Sequence, residues 1–580
     1  MTEQQICCGD GGVGPMSLCN LGARAACCSR VPPIRRISGV LRFFIGIRPC
    51  MVGLIALIAV LSGAMSASAN CVGIRPAEHG AGDCLQSEAP VVAGKGDVYR
   101  VGPGQALANL GDVPWSKLKA GDTVYIHYRE KPYREKILVS GHGTAEQWIR
   151  VLGVPGPNGE LPVISGNEAT TSETTRHRWA DPNIIQWLGV VQVAVSGEHE
   201  GTDAQQVPAY IEIANLQVQD ALSSHSFIAE NGTRLAYNPF AACIYARSVQ
   251  HLVIRNNILT NCGQGFYNWS GDGSSRKWWA ATQSNTIVRG NYFHNNGNPE
   301  RYTEHQVYTE SHRVTIELNR FGVQRPGAWG SQIKDRSAGT VIRYNVIEQA
   351  FRGWDIDLVE PEESWPSFSQ LPELKQTFVY GNVITSRGRE SPNFIHWNED
   401  HQAGRGRATL PAAKLFFYNN TIAIFSDRTD SQPYNIFNST WGSYDCPSGD
   451  LPGVIDVRNN IIAVLPTIQG ARVPPIRLGY CGKERLELGT NWISPGYFHR
   501  GAMTGAESTI SPGSNDPGFI SDRDFKLRAN AAISGSGGHL APEIWANSLG
   551  ARFGPDQRFT SPDRLELRPI VGKGSALGAF

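Results

Sequence analysis

The chain has 580 residues, with 53 Lys and Arg against 52 Asp and Glu, a formal net charge of +1. That balance excludes a polybasic nucleic-acid binder, and 41% hydrophobic residues exclude a largely disordered chain. Length alone predicts three or four globular domains, while 63 Gly and 35 Pro against only 5 Met point to many short strands and turns rather than helices.

Residues 52–65 read VGLIALIAVLSGAM, a continuous apolar run. Arg35, Arg36, Arg42 and Arg48 precede it, and Ala67-Ser68-Ala69 follows it. A basic flank, a short apolar core and a small-x-small site predict an export signal over 1–69 with a long leading segment. The core is too short to span a bilayer comfortably. Cleavage after Ala69 leaves 511 residues with 47 Lys and Arg, 50 Asp and Glu, and a net charge of −3. Six Cys remain: Cys71, Cys84, Cys243, Cys262, Cys446 and Cys481. An even count in an exported chain predicts disulfides, most simply 71–84, 243–262 and 446–481. The expected destination is the periplasm or the cell exterior.

A short N-terminal segment (70–94) leads to the region in which one phrase recurs: an apolar pair, a polar residue, Asn, then another apolar pair. It reads VIRNNIL (253–259), IVRGNYF (287–293), TIELNRF (315–321), VIRYNVI (341–347), FVYGNVI (378–384), FFYNNTI (416–422) and DVRNNII (456–462), with a weaker copy at 211–218. The shared Asn residues are 257, 291, 319, 345, 382, 420 and 460, at spacings from 26 to 40. A fixed core with a variable remainder is the mark of a solenoid with loop insertions. The units alternate, are rich in Val, Ile, Tyr and Phe, and read as strands. Asn at a constant place fits a corner, because it tolerates left-handed backbone, and stacked Asn side chains can satisfy one another along the axis. Spacings as short as 26 do not hold a four-stranded propeller blade. The fold expected is all-β, a right-handed parallel β-helix over 95–540 with an N-terminal cap, loop insertions and a C-terminal tail over 541–580.

At this point the chain resembles the bacterial parallel β-helix proteins of the pectate-lyase-like superfamily. The opening 101–153, with the turn Gly121, Asp122, Thr123, is similar to the first coils of that family. HQVYTE (305–310), SQIKDRSAGTVIRYN (331–345) and WDIDL (354–358) match further segments in order, and 515–535 is similar to a closing tail.

Aligning the coils on the recurrent Asn puts Tyr308, Lys334, Asp357 and His396 in one outward column, with Glu310 and Arg336 in the next. Gln306, Gln332 and Asp355 fall two residues back. His305 and Arg352 lie nearby, with Trp329, Trp354 and Trp397 as rings for a sugar face. Uronate β-elimination needs the C6 carboxylate neutralised, the C5 proton removed and the leaving oxygen protonated. The resemblance implies a polysaccharide lyase acting on an acidic polysaccharide, with Lys334 as base, Arg336 on the carboxylate and Tyr308 or His396 as acid. It also implies Ca²⁺, for which Asp355, Asp357 and Glu360 are the candidate ligands. In the chondroitinase B and alginate lyase branch an Arg accompanies the Lys one coil later; here that place holds Asp357. Two alternatives stand beside the lyase: a glycoside hydrolase using Asp355 and Asp357, which lie two apart on one strand, and a noncatalytic glycan-binding surface. The insertion 263–284, with Trp269, and the stretches 360–375, 426–450 and 465–488 read as loops. No nucleic acid, no lasting membrane span and a monomer are expected.

Overall fold

The computed structural model describes residues 96–171, 186–194, 207–270, 284–350, 352–362, 364, 368–387, 393–398, 413–439, 453–468, 473–511, 513–555, 557–561, 566–569 and 577–580. The proposed export signal, Cys71, Cys84 and Cys446 lie outside them. Among the described residues, no helix is long and apolar enough to cross a membrane.

Short apolar strands stack into three long sheets of thirteen, thirteen and ten strands. Every ladder within them is parallel except the pairing of Ser226–Ile228 with Arg234–Ala236 at the start of the second. The chain visits the sheets in turn. One coil runs through Val307–Glu310 in the second sheet, Val314–Glu317 in the first and Arg320–Phe321 in the third; the next begins at Ile333–Asp335. This is the expected all-β parallel β-helix, and parallel crossovers are right-handed with few exceptions. No division into globular domains is needed, because each coil buries its inward side chains against the next. Val, Ile, Leu and Phe from all three sheets form one continuous interior, including Ile333, Ile356, Ile395 and the stacked Phe293–Phe321 pair.

The recurrent phrase is a first-sheet strand, a corner and a third-sheet strand. Its Asn forms the ladder expected of it. From Asn257 through Asn291, Asn319, Asn345, Asn382, Asn420 and Asn460 to Asn491, each Nδ2 donates to the Oδ1 of the next at 2.9–3.1 Å. The backbone N–H of each donates to the same oxygen. The ladder Asn is not, however, the left-handed residue. That role falls one position earlier, on Asn256, Gly290, Leu318, Tyr344, Gly381, Asn419 and Asn459. The turn must reverse direction just before the side chain enters the corner, so the two demands fall on neighbouring residues.

Cys243 and Cys262 are joined inside the core, as expected, with Cα atoms 5.6 Å apart. Cys481 is also disulfide-bonded. Three of the four stretches read as loops contain strands of the second sheet, Gln264–Trp269, Tyr434–Asn438 and Ile476–Gly479, whereas 360–375 has no strand among its described residues. Trp269 therefore belongs to the solenoid wall, not to an insertion. The strands of the three long sheets end at Met503–Thr504, and the chain beyond covers the outside. Phe519, Phe525, Ile544 and Phe553 pack on Phe378, Tyr380, Phe416 and Tyr418, which point outward from first-sheet strands just before the Asn corner.

Candidate active site

Parallel pairing brings Tyr308, Lys334, Asp357 and His396 into consecutive register on the second sheet. Their neighbours Ile333, Ile356 and Ile395 point into the core, so strand alternation turns the polar four outward. Beneath them Asp335 faces the interior and accepts Thr309 Oγ1 and Thr340 Oγ1, both at 2.6 Å.

Asp357 is the hub. Lys334 Nζ lies 2.9 Å from its Oδ2, and Ser331 Oγ donates to the same oxygen at 3.2 Å. His396 Nδ1 meets Oδ1 at 2.8 Å. Burial would raise the Asp357 carboxyl, but Lys334, His396 and His305 outweigh it and hold it well below the ordinary carboxylate range. An ionised carboxylate only accepts, so the proton sits on His396 Nδ1. Trp354 stacks on the His396 ring at 4.9 Å, with 21° between the planes. His305 Nδ1 accepts the Ser331 N–H at 2.8 Å, and its ring meets Tyr308 edge-on at 5.3 Å.

The next outward column holds Glu310 and Arg336. Arg336 Nε donates to the Tyr308 hydroxyl at 3.1 Å and Nη1 to the Glu360 carbonyl at 2.7 Å; Nη2 lies 3.7 Å from Glu362. Glu310 Oε1 accepts the backbone N–H of Glu362 at 3.0 Å and of Ser364 at 2.7 Å. Burial pushes the Glu310 carboxyl up to about 7 against the pull of these donors and Arg336. Burial likewise pushes the Tyr308 phenol up to about 12, although Arg336 and Lys334 oppose it. The column is thus not an open groove: Lys334, Arg336, Asp357 and His396 are only 0–7% exposed, with the chain after Val359 tied across Glu310 and Arg336.

Three expected residues stand elsewhere. Trp397 points into the core at 4% exposure. It follows His396 directly, and alternation puts adjacent residues on opposite faces. Asp355 is fully buried, opposite the core residue Phe394, with Oδ1 accepting the Ala350 N–H at 2.8 Å. The strand enters the sheet at a corner where Asp355 and Ile356 both face inward, and Gln306 and Gln332 share that placement, bonding to third-sheet carbonyls. Burial holds the Asp355 carboxyl well above its usual range. The Asp355–Asp357 pair needed for hydrolysis therefore does not exist on one face. The set offered for Ca²⁺ is not assembled either: Asp355 is inside, Asp357 is committed to Lys334 and His396, and Glu360 meets Arg336 through its carbonyl. Among the described residues, no group of three His, Cys, Asp or Glu is placed to hold a metal. Arg352 is exposed and sits over the Trp329 ring at 5.1 Å, at the edge of the site.

Residues not singled out from sequence complete the arrangement. Ser331 bridges Asp357 and the Trp354 N–H; its place three before Lys334, opposite Trp354, was the available signal. The outward column also continues upstream from Tyr308 through Tyr267 to Tyr245.

No protein-family model matches this chain, and no curated protein matches it in sequence. Among solved structures it is similar to an alginate lyase from Paenibacillus sp. str. FPU-7, at 12% identity and a TM-score of 0.35 over 62% of this chain and 92% of that one. It is similar to pectate lyase Pel9A, at 10% identity and a TM-score of 0.40 over 83% and 96%. A mutant tailspike protein of E. coli bacteriophage HK620 in complex with a pentasaccharide shows 12% identity and a TM-score of 0.38 over 73% and 62%.

Proposed function

We propose that the protein is an exported polysaccharide lyase that cleaves a uronate-containing polymer by β-elimination. The observation that carries this reading is a pair of adjacent outward columns holding two bonded pairs, Lys334 with the Asp357 carboxylate at 2.9 Å and Arg336 with the Tyr308 hydroxyl at 3.1 Å. Arg336 takes the substrate C6 carboxylate in exchange for the more distant Glu362. Lys334 first gives its ammonium proton to solvent, and the neutral amine then removes the C5 proton; the C–H electrons form the C4–C5 double bond as the C4–O bond breaks. The new ammonium returns to the ion pair with Asp357, which His396 and Ser331 hold in place. Tyr308, kept protonated by burial, gives its proton to the leaving oxygen. Asp357 and His396 position the base. Export is supported by the leader-like 1–69 segment and by the Cys243–Cys262 disulfide, which suits an oxidising compartment.

The test is a panel of acidic and neutral polysaccharides, followed by ultraviolet absorbance of unsaturated ends and by reducing ends together. Wild-type protein should generate both, without loss in EDTA, and Lys334→Ala neither. Reducing ends without absorbance would replace elimination by hydrolysis. Retention of a polymer without cleavage would leave a binding protein.

A further inference from the structure

The interior corner between the third and second sheets holds buried polar side chains that the elimination does not use. Gln306, Gln332 and Asp355 occupy it on consecutive coils, in the register set by Val307, Ile333 and Ile356, and all three are 0% exposed. Gln306 has both halves of its amide bonded: Nε2 donates to Gly322 O at 3.1 Å, and Oε1 accepts Asn296 Nδ2 at 2.6 Å. Gln332 Nε2 donates to Gly322 O at 3.2 Å and to Glu348 O at 2.5 Å. Two carbonyls pin that nitrogen, so turning the amide over would set oxygen against oxygen. Gln332 Oε1 is therefore an acceptor, buried with no donor among the described residues. One coil on, Asp355 Oδ1 accepts the Ala350 N–H at 2.8 Å, and its Oδ2 is buried without a partner as well. The two side chains start from neighbouring strands about 4.8 Å apart and end on the same short stretch, Glu348 to Ala350.

We propose that Asp355 carries a proton on Oδ2 in the native protein and donates it to Gln332 Oε1, and that this hydrogen bond seats the strand bearing Asp357. Buried polar groups are paired almost without exception, and one proton between these two oxygens satisfies both. Burial holds the Asp355 carboxyl well above its usual range, with the Ala350 N–H opposing. The surrounding strands send their charges elsewhere. Lys334, Asp357 and His396 alternate to the outer face, Glu348 pairs with Arg320, Arg387 with Asp522, and Arg352 lies over Trp329. The inward Asp335, at the other end of its strand, is bonded by Thr309 and Thr340. The effect reaches the outer face because Asp355 stands within Trp354–Val359. Trp354 stacks on His396 and donates its N–H to Ser331 Oγ, and Asp357 holds Lys334. Without the proton, a carboxylate would face an amide oxygen in the core and unseat this strand. The inference does not depend on the lyase reading.

Asp355→Asn keeps the shape, with an oxygen for the Ala350 N–H and an N–H for Gln332. The experiment measures denaturant unfolding of wild type and Asp355→Asn as pH rises from about 4. The folded state keeps a proton that the unfolded chain loses near pH 4, so the stability linked to Asp355 is full below that pH and is lost as pH rises. The unfolding constant of wild type should grow relative to that of Asp355→Asn by about ten-fold per pH unit. Glu310 is common to both proteins and cancels. Asp355→Ala, which offers Gln332 no N–H, should unfold at lower denaturant than Asp355→Asn throughout. In infrared spectra at neutral pH, wild type should show the carbonyl stretch of a protonated carboxyl that Asp355→Asn lacks. Parallel pH profiles for wild type and Asp355→Asn, an Asp355→Asn protein that does not fold, or the absence of that band from wild type each overturn the proposal.

Discussion

At the scale of single residues, Glu310 shows how burial and backbone donors compete for one carboxyl. Its two amide donors favour the charged form, yet desolvation dominates and lifts it to about 7. A raised native value means that the folded state holds the proton after the unfolded chain has lost it. The stability linked to Glu310 is therefore full below about pH 4.5 and is lost as pH rises towards 7, at up to about 1.4 kcal/mol per pH unit. Glu310→Gln should abolish that slope: denaturant midpoints measured across this window should diverge from wild type with rising pH, the variant becoming relatively more stable. Asp357 behaves in the opposite sense, because Lys334 outweighs its burial. The column could be aligned from sequence, since Tyr308 and Lys334 each stand eleven residues before a recurrent Asn. Trp397 and Asp355 could have been assigned only in part. Alternation predicts that Trp397 opposes His396, but a corner that sends Asp355 and Ile356 the same way breaks the alternation.

At the scale of the element, the Asn ladder converts a row of sharp corners into a continuous hydrogen-bonded spine. Asn382 shows what each rung holds: its Oδ1 accepts both the backbone and side-chain N–H of Asn345, and its Nδ2 donates to Ile342 O, Tyr380 O and Asn420 Oδ1. Asn382→Ala strands several buried groups, each costing about 1–3 kcal/mol. A loss of at least about 3 kcal/mol is expected in equilibrium denaturation, with the candidate site unchanged in geometry because it lies on a different sheet. The repeat was legible because this spine demands one residue type at one place, whereas the loops between strands are free to vary from coil to coil. The demand for left-handed backbone was legible only as a neighbourhood, since Leu318 and Tyr344 meet it as well as Gly290 and Gly381 do.

At the scale of the whole molecule, the solenoid has two apolar layers, one inside and one outside. Phe378, Tyr380, Phe416 and Tyr418, on first-sheet strands, belong to the outer layer and are covered by Phe519, Phe525, Ile544 and Phe553 of the C-terminal segment. A chain ending at Ser511 should expose this surface. We expect lower thermal stability, binding of a hydrophobic dye and association at micromolar concentration; a monodisperse truncated protein with an unchanged melting temperature would show that the cover adds nothing. A hint was present in FVYGNVI and FFYNNTI, where apolar residues occupy both faces of the strand, but which segment supplied the cover was not written there.

The sequence by itself determined the all-β solenoid, the Asn spine, the Cys243–Cys262 bond and the column of Tyr308, Lys334, Asp357 and His396. The bond follows from the count and order of the Cys residues, and the rest from strand periodicity and repeat spacing, which are local or nearly so. Only the tertiary structure decided that Asp355 and Trp397 face inward, that Asp357 is the shared partner of Lys334, His396 and Ser331, and that the chain after Val359 lies across Glu310 and Arg336. Those outcomes depend on where corners fall and on contacts between coils dozens of residues apart, and no period in a single chain encodes them.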